Sequence, residues 1–311
     1  MRTDAPASEA AQPTGSGGAD WHADRSVSHR RFPLSSGDRR VQPFASSNRI
    51  TLPEIRDEET VAVSSDWESI IGLAVDQIDR IRAARPDVCT VLHLGDLRLD
   101  PHQRSAGAAG RYLRHLDDAL HNNGIQRLLV TPGNHDDWAR LSSWWAMHQL
   151  PAYRVASRIW FLRPGTRFTL AGRTILSFGG ASALDRARQP WWEESMPNAE
   201  LAKKVSEDGP CDVLLTHEAV DSGIATVRAV LDGPSKWPAN ELHASARSRT
   251  IVTELRDAVR PAVALHGHLH RPGLDRGAQG LTVSLAGRTD LYNAGFLNLT
   301  DLTWTWLEDE E

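Results

Sequence analysis

Short apolar runs alternate with segments of helical periodicity in the first part of the chain, and this alternation constrains the fold most. The runs at 61–64, 89–94 and 128–130 have the length and apolar content of buried strands. Between the first two, apolar residues recur at helical spacing from 70 to 81, and Pro86 ends the helix predicted there. Strand, helix and strand in succession favour a parallel α/β sheet with right-handed crossover connections.

The middle of the chain shows a different pattern, in which short strand-like segments are separated by turn residues. Segments 159–162, 167–170 and 174–178 predict antiparallel hairpins, with Pro164 and Gly165 forming one of the turns. Alternation then returns, so the whole chain predicts an α/β (α+β) fold with a mixed, two-layer β core and helices outside. The other predicted elements are helices around 113–120 and 249–259, strands at 213–216, 262–265, 281–285, 296–299 and 302–306, and a loop at 221–243.

The two ends of the chain differ from its centre in composition. Residues 1–48 are rich in Ala, Gly, Ser, Pro and Arg and show no sustained periodicity, so they bury too little apolar area to offset the entropy of ordering. We predict a disordered tail there, followed by one folded domain at 49–307. Residues 308–311 are acidic and are predicted to form a solvated end.

Bulk properties disfavour several classes of partner. The formal net charge of −5 argues against nucleic acid or acidic membranes bound through overall charge. No apolar stretch approaches the ~20 residues that cross a bilayer, and the N-terminus has no signal-peptide core. The cysteines, Cys89 and Cys211, lie in apolar runs and are predicted to be buried free thiols. We therefore expect a cytoplasmic protein. Its net negative charge does not exclude a small anionic substrate. The sequence gives no indication of its oligomeric state.

Five polar clusters each follow a predicted strand. Taken singly, an Asp after a strand is more often a helix cap or turn former than a ligand. Together they favour a common site, because open α/β folds place ligand sites at the carboxyl ends of strands. His268 and His270 add to this, since alternate residues of an extended segment project to one side and paired imidazoles are typical metal ligands. The clusters lie at 65–68, 95–96, 133–137, 216–218 and 266–270.

Three of these clusters resemble the motifs of the calcineurin-like metallophosphoesterase superfamily in type and order. They are Gly-Asp at 95–96, Gly-Asn-His-Asp at 133–136 and Gly-His-Leu-His at 267–270. The resemblance covers about residues 61–270. It implies a four-layer αββα sandwich, in which two mixed β-sheets are flanked by helices, and a dinuclear metal centre.

The resemblance also implies a role for each matching residue. Asp66 and His270 would bind the first metal ion, and Asp96 would bridge both ions. The ligands of the second ion would be Asn134, His217 and His268. His135 would not bind metal; it would lie near the scissile phosphate as a general acid or electrostatic stabiliser.

Glu68 departs from the family pattern, which is Asp-x-His where this chain has Asp66-Trp67-Glu68. Either Glu68 replaces the imidazole as a ligand, or it turns away and the first metal binds weakly. We favour ligation, and because a carboxylate is a harder ligand than imidazole it would favour Mn or Mg. Arg98 is a candidate phosphate contact, although a surface salt bridge is the more common role for such a residue.

The residue that orients His135 is the second departure. Many members of the family place an Asp three residues after the bridging one, whereas here Asp100 comes four residues after Asp96. Asp136 or Asp137 could take this role instead, so the assignment stays open among these carboxylates. His266 either supports the metal ligands from behind or is a buried histidine without a role in the site.

The function predicted from this set is hydrolysis of phosphomonoesters or phosphodiesters. Two divalent ions, with Mn favoured over Fe, Zn or Mg, need a bridging carboxylate and make a bridging hydroxide available near neutral pH. His135 would then protonate the leaving group. The alternative is a degenerate member of the family that binds a ligand or partner without turnover, and a nuclease ranks lower because the folded part offers no basic stripe.

Overall fold

A computed structural model of the chain describes residues 48–52, 55, 58–98, 108–184, 192–288 and 290–310, with only the backbone of residues 108 and 109. Residues 1–47 of the predicted tail and Asp100 lie outside the described residues. The predicted domain boundaries therefore stay a prediction.

The described strands alternate with helices over most of the chain. In chain order the strands are β1 (Thr60–Ser64), β2 (Thr90–His93), β3 (Arg127–Val130), β4 (Ala152–Arg154), β5 (Ile159–Leu162), β6 (Thr166–Leu170), β7 (Arg173–Phe178), β8 (Val213–Thr216), β9 (Val263–His266), β10 (Gly273–Gly277), β11 (Gly280–Ser284), β12 (Ala294–Asn298) and β13 (Trp304–Trp306). The helices are α1 (Ile71–Ala84), α2 (Ala108–Asn122), α3 (Trp138–His148), α4 (Ala199–Ser206), α5 (Ala225–Leu231), α6 (Ala239–Val259) and α7 (Leu307–Glu310).

These strands form two mixed sheets. The first has the order β13-β12-β1-β2-β3-β5-β4, and its strands β1, β2, β3 and β5 run parallel. The second has the order β10-β11-β9-β8-β7-β6, and its strands β11, β9, β8 and β7 run parallel. Each sheet therefore gathers the carboxyl ends of four parallel strands at one edge.

Three apolar layers hold the sheets and helices together, and alternate residues of single strands divide between them. In β2, Val91 packs towards α1 and α2, whereas Leu92 packs into the layer between the sheets. In β8, Leu215 joins that central layer while Leu214 packs against α4 and α6. Full burial of one such side chain contributes about 1.5–3 kcal/mol. This arrangement is the predicted four-layer αββα sandwich.

The predicted hairpin through Pro164 and Gly165 is wrong. β5 lies in the first sheet and β6 in the second, so these two residues carry the chain from one sheet to the other. β5 instead pairs in parallel with β3, and β6 forms the predicted antiparallel hairpin with β7. A turn signal marks a reversal of the chain, but pairing depends on distant strands that it does not specify.

The acidic end and the thiols also differ in part from expectation. Residues 307–310 form α7, and Glu308 pairs with Arg80 at 3.2 Å, so this carboxylate is not freely solvated. Both cysteines are free, as predicted, but only Cys211 is buried and Cys89 is half-buried. Among the described helices, none is long and apolar enough to span a bilayer.

Candidate metal centre

The candidate site lies where the carboxyl ends of parallel strands from both sheets meet. In the first sheet, Ser64 pairs with His93 and His93 with Val130, so β1, β2 and β3 end in register. The loops after these strands carry Asp66, Asp96 and Asn134, and the loops after β8 and β9 carry His217, His268 and His270. Aligned strand ends thus bring together residues that are up to about two hundred positions apart in the sequence.

Asp66, Asp96 and His217 form the tightest group of ligand atoms. One ligand atom from each lies within 4.8 Å of the others, and all three side chains are buried. The Nε2 atom of His217 is 3.4 Å from Asp96 Oδ2. Two carboxylates and an imidazole converging at this distance could hold one divalent cation between them.

Asn134 and His270 each contact one member of this group. Asn134 Oδ1 is 3.1 Å from His217 Nε2, and His270 Nε2 is 3.0 Å from Asp66 Oδ1. The other ring nitrogen of His217, Nδ1, is 2.6 Å from the carbonyl oxygen of Leu94. Such a bond fixes the Nδ1–H tautomer and leaves Nε2 available as a metal ligand.

His268 is also at the site, with its ring centroid 5.0 Å from that of His217. Its buried Nε2 has no hydrogen-bond partner among the described residues. A carboxylate oxygen, Oε1 of Glu218, lies 3.8 Å from this nitrogen. A buried polar atom without a hydrogen bond is costly, and a bound cation would supply the missing interaction.

Glu218 is a site residue to which the sequence analysis assigned no role. Its side chain is fully buried and accepts hydrogen bonds from the backbone N–H groups of Ser182 and Ala219, each at 3.1 Å. It therefore places a carboxylate next to the Nε2 atom of His268. The available signal was its position directly after His217 within a polar cluster, since a buried Glu needs partners.

Asp136 organises two of the loops. Its carboxylate accepts hydrogen bonds from the backbone N–H groups of Gly133 at 2.8 Å, Asp96 at 3.1 Å and Arg98 at 2.7 Å. These bonds tie the loop after β3 to the loop after β2. Asp136 therefore supports the position of Asp96, and its suggested role in orienting the ring of His135 stays a prediction.

His135 lies next to the group without being enclosed by it. Its backbone N–H donates to Asp96 Oδ1 at 2.8 Å, and its Nε2 is 4.0 Å from Asp96 Oδ2. About a quarter of the side chain is exposed, at 26%, whereas the Asp96 side chain is 3% exposed. An imidazole at the open side of the group can reach a ligand that enters from solvent.

Glu68 is placed beside the group rather than in it. Its Oε2 atom accepts hydrogen bonds from Arg98 at 3.3 Å and Arg288 at 2.5 Å. Its backbone N–H donates to the carbonyl oxygen of Asp96 at 2.9 Å, so the main chain is still tied to the site. The structure therefore gives this carboxylate two guanidinium partners and does not bring it together with Asp66, Asp96 and His217.

Two further histidines are buried behind the site. His266 Nδ1 is 3.3 Å from the carbonyl oxygen of Gly267, and burial lowers the pKa of this side chain to about 4. His93, which the sequence analysis did not single out, packs edge-on against Trp67 with ring centroids 4.6 Å apart. Burial lowers the pKa of His93 to about 3, so both rings are neutral near pH 7.

The charges at the centre are strongly coupled. Burial raises the pKa of Asp96, but the charges of His217 and His135 outweigh it and hold the pKa well below its usual range. Burial lowers the pKa of His217, but the charge of Asp96 and their hydrogen bond raise it to about 10. The carboxylates thus draw a proton onto His217. A divalent cation would replace that proton, because metal binding requires the neutral imidazole.

The backbone around the centre adopts the left-handed region at several positions. Such φ values are uncommon for residues with a Cβ atom and cluster at functional sites in proteins. Among the described non-glycine residues, those with positive φ at the site are Asp66, Glu68, Ser69, Asp96, Arg98, His268, His270 and Arg288.

Comparison with known proteins gives one family and several similar folds. A sequence model of the calcineurin-like phosphoesterase family matches residues 59–272, more than half of the chain, and this stretch includes the five loops of the site. No match exists among curated proteins. One solved structure has a TM-score of 0.50 and 16% identity, covering 79% of this chain and 97% of its own.

Two more solved structures resemble the fold at a lower score. The protein TT1561 of Thermus thermophilus has 14% identity and a TM-score of 0.48, covering 80% of this chain and 97% of its own. A dimetal phosphatase from Danio rerio has 14% identity and a TM-score of 0.48, covering 77% of this chain and 92% of its own. At these identities the similarity concerns the fold alone.

Proposed function

We propose that this chain, which belongs to the calcineurin-like phosphoesterase family, is a metal-dependent hydrolase of phosphomonoesters or phosphodiesters. The observation that carries the proposal is the convergence of buried Asp66, Asp96 and His217 within 4.8 Å. The Nε2 atom of His268 gives independent support. It is buried beside these residues, has no hydrogen bond among the described residues, and is a further possible metal ligand. Two like-charged carboxylates buried this closely are stabilised by a cation.

The ligand set has enough members for two divalent ions. Asp96 shares a group of ligand atoms with both Asp66 and His217, so we assign it as the bridge between the two ions. We assign Asp66 and His270 to one ion, and Asn134, His217 and His268 to the other. A set of metal ligands that mixes oxygen atoms with imidazole nitrogens suits Mn, Fe or Zn, and we favour Mn.

Metal ions bound here would lower the pKa of a water molecule and neutralise phosphate oxygens, which is the chemistry that ester hydrolysis needs. The protein side chains would then hold and orient the ester. His135, which lies on the open side of Asp96, would donate a proton to the leaving-group oxygen or stabilise its charge. Asp136 would hold the loops that carry Asp96 and Asn134 in their relative positions.

The test is to measure bound metal by plasma mass spectrometry and hydrolysis of p-nitrophenyl phosphate and its bis ester in the same samples. Wild type, Asp96→Asn and His135→Ala would be compared. We expect close to two ions and turnover of one ester in wild type. His135→Ala should keep its metal and lose about 10²–10⁴-fold in kcat, the usual contribution of a general acid.

Asp96→Asn should lose both metal and turnover, since the bridging carboxylate is removed. A wild-type protein that holds metal but hydrolyses neither ester would instead support the binding-only alternative. A wild-type protein without metal would overturn the proposed centre itself. The preferred ester would decide between monoesterase and diesterase activity.

A further inference from the structure

A charged cluster of Glu68, Arg98 and Arg288, called here the arginine clamp, lies beside the candidate metal centre. Glu68 Oε2 accepts hydrogen bonds from Arg98 Nη1 at 3.3 Å and Arg288 Nη2 at 2.5 Å. The Glu68 side chain is only 7% exposed, whereas those of Arg98 and Arg288 are 38% and 56% exposed. A buried carboxylate therefore lies beneath two guanidinium groups that solvent reaches.

Main-chain hydrogen bonds fix the clamp relative to the metal centre. The backbone N–H of Arg98 donates to Asp136 at 2.7 Å, and that of Arg288 donates to the carbonyl oxygen of Asp66 at 3.3 Å. All three clamp residues have positive φ, between 47° for Glu68 and 60° for Arg98. Arg98 is in the loop of Asp96, and Arg288, in the loop after β11, is bonded to the backbone of Asp66, so both arginines are held beside the candidate ligands.

The three clamp residues by themselves carry one formal positive charge, and the carboxylates of Asp66 and Asp290 also act on Arg288. One carboxylate faces two guanidinium groups, and both guanidinium groups are partly exposed. Arginine presents planar, forked donors that match carboxylate and phosphate oxygens, and Glu68 restricts the rotamers of both side chains. Such a preorganised pair favours an anion over water.

The arginine clamp lies next to the candidate metal centre. The grouped ligand atoms belong to Asp66, Asp96 and His217, whereas the Oε2 atom of Glu68 accepts hydrogen bonds from both arginines. With an ester phosphate held over that group, the exposed guanidinium groups would face a neighbouring part of the substrate.

We propose that Arg98 and Arg288, oriented by Glu68, bind a second anionic group of the substrate beside the phosphate that the metal centre holds. This inference rests on the proposed function and narrows it to phosphate esters that also carry a carboxylate or a second phosphate. Glu68 is then a positioning residue for the two arginines, and not the metal ligand expected from the sequence.

The test compares pairs of ligands that differ in the second anionic group. Ethyl phosphate and 2-phosphoglycolate share a phosphate, with a methyl group in one and a carboxylate in the other. Fructose 6-phosphate and fructose 1,6-bisphosphate also differ by one anionic group, a phosphate that lies farther from the shared phosphate. Affinities would be measured by calorimetry on the metal-loaded protein with His135→Ala to slow turnover. We expect the second anion to tighten binding about ten-fold or more in at least one pair, as charged hydrogen bonds typically do.

Variants test whether the arginine clamp causes the preference for a second anionic group. The double variant Arg98→Gln, Arg288→Gln should reduce it to about two-fold or less, because a neutral amide lacks the charge. Arg276→Gln, an exposed arginine on β10, is the matched control and should keep it. Glu68→Gln should weaken the preference while the bound-metal content stays at the wild-type level.

Three outcomes would overturn the inference. They are equal affinity within both pairs, a preference that survives the double variant, and loss of a metal ion in Glu68→Gln, which would make Glu68 a ligand. Failure of the proposed function looks different, because wild type would then hydrolyse neither p-nitrophenyl phosphate nor its bis ester. If wild type binds metal and hydrolyses one of these esters but shows no preference for a second anion, the clamp alone has failed.

Discussion

At the scale of single residues, the geometry of the candidate metal centre depends on positions where a side chain would not fit. A Cβ atom at Gly133 would overlap the carboxylate of Asp96, and one at Gly95, where φ is +102°, would lie 2.5 Å from His217 Nδ1. Because neither glycine has a Cβ atom, the loops after β2 and β3 can pass close to each other with the Asp96 side chain between them. The glycines of the sequence motifs therefore have a steric role in the geometry of the ligands.

Replacing Gly133 with Ala should lower metal content and turnover with little loss of fold. The added methyl group must push Asp96 away from His217, and displacement of a metal ligand or its support commonly costs about 10–100-fold in affinity. Metal content and p-nitrophenyl phosphate hydrolysis would measure the effect.

Gly72→Ala is the matched control for this substitution. Gly72 lies in α1 with no atom within 4 Å of an added Cβ, so the variant should keep its metal. Equal metal content in the two variants would contradict the steric role of Gly133.

At the scale of elements, strand ends and helix ends are secured by buried polar side chains. Arg167 of β6 is 2% exposed and donates to the carbonyl oxygens of Val205, Gly209 and Pro210, at 3.3, 2.6 and 2.9 Å. These carbonyls lie at and just beyond the end of α4, where a helix has few donors of its own. One side chain thus joins the edge of the second sheet to the helix that covers it.

Arg167→Met should destabilise the protein by about 2–4 kcal/mol, since three carbonyl groups lose a charged donor in a largely buried place. The free energy of unfolding in urea would measure this change. Arg228→Met on α5, where the arginine side chain is 64% exposed, should change stability by about 0.5 kcal/mol or less. Similar values for the two variants would show that Arg167 does not stabilise the end of α4.

The two thiols should differ in reactivity because of the elements they occupy. Cys211 is packed between the second sheet and its helices, and burial raises its pKa to about 12. Cys89 is half-buried just before β2. We expect a disulfide reagent to modify Cys89 in the native protein and both thiols in urea. Rapid modification of native Cys89→Ser would contradict the packing around Cys211.

At the scale of the whole molecule, the candidate metal centre lies between loops of the two sheets. Its candidate ligands come from loops of both, so a cation bound there would link the two halves of the sandwich. Without a cation, the buried carboxylates of Asp66 and Asp96 depend on histidines and hydrogen-bond donors of the protein to offset their repulsion. Occupancy of the centre should therefore affect global stability.

Removal of metal by a chelator should lower the Tm by about 5–10 °C, since a ligand at 100 times its Kd stabilises the native state by about 2.7 kcal/mol. Scanning calorimetry before and after addition of EDTA, and again after Mn is restored, would measure it. Asp96→Asn should show a smaller difference, because it holds less metal to begin with. An unchanged Tm after confirmed metal loss would mean that the centre contributes nothing to the stability of the fold.

The fold class and the neighbourhood of the site could be predicted from local sequence patterns. Apolar periodicity is local information, so the strands ending at Ser64 and Thr216 could be found without a structure. Because parallel strands share an edge, the polar clusters after them were predicted to meet, and Asp66, Asp96 and His217 do meet. Less regular segments were missed: residues 221–243 were expected to be a loop but contain α5 and the start of α6.

Which distant groups face each other could not be predicted from the sequence. Pro164 and Gly165 mark a change of sheet and not a hairpin, Glu218 lies next to His268, and Glu68 pairs with an arginine 220 positions away. All three have the same cause. Local patterns set the conformation and burial of a segment, whereas its partner is set by the packing of segments that are remote in the chain, and a charged side chain takes the partner that packing brings within reach.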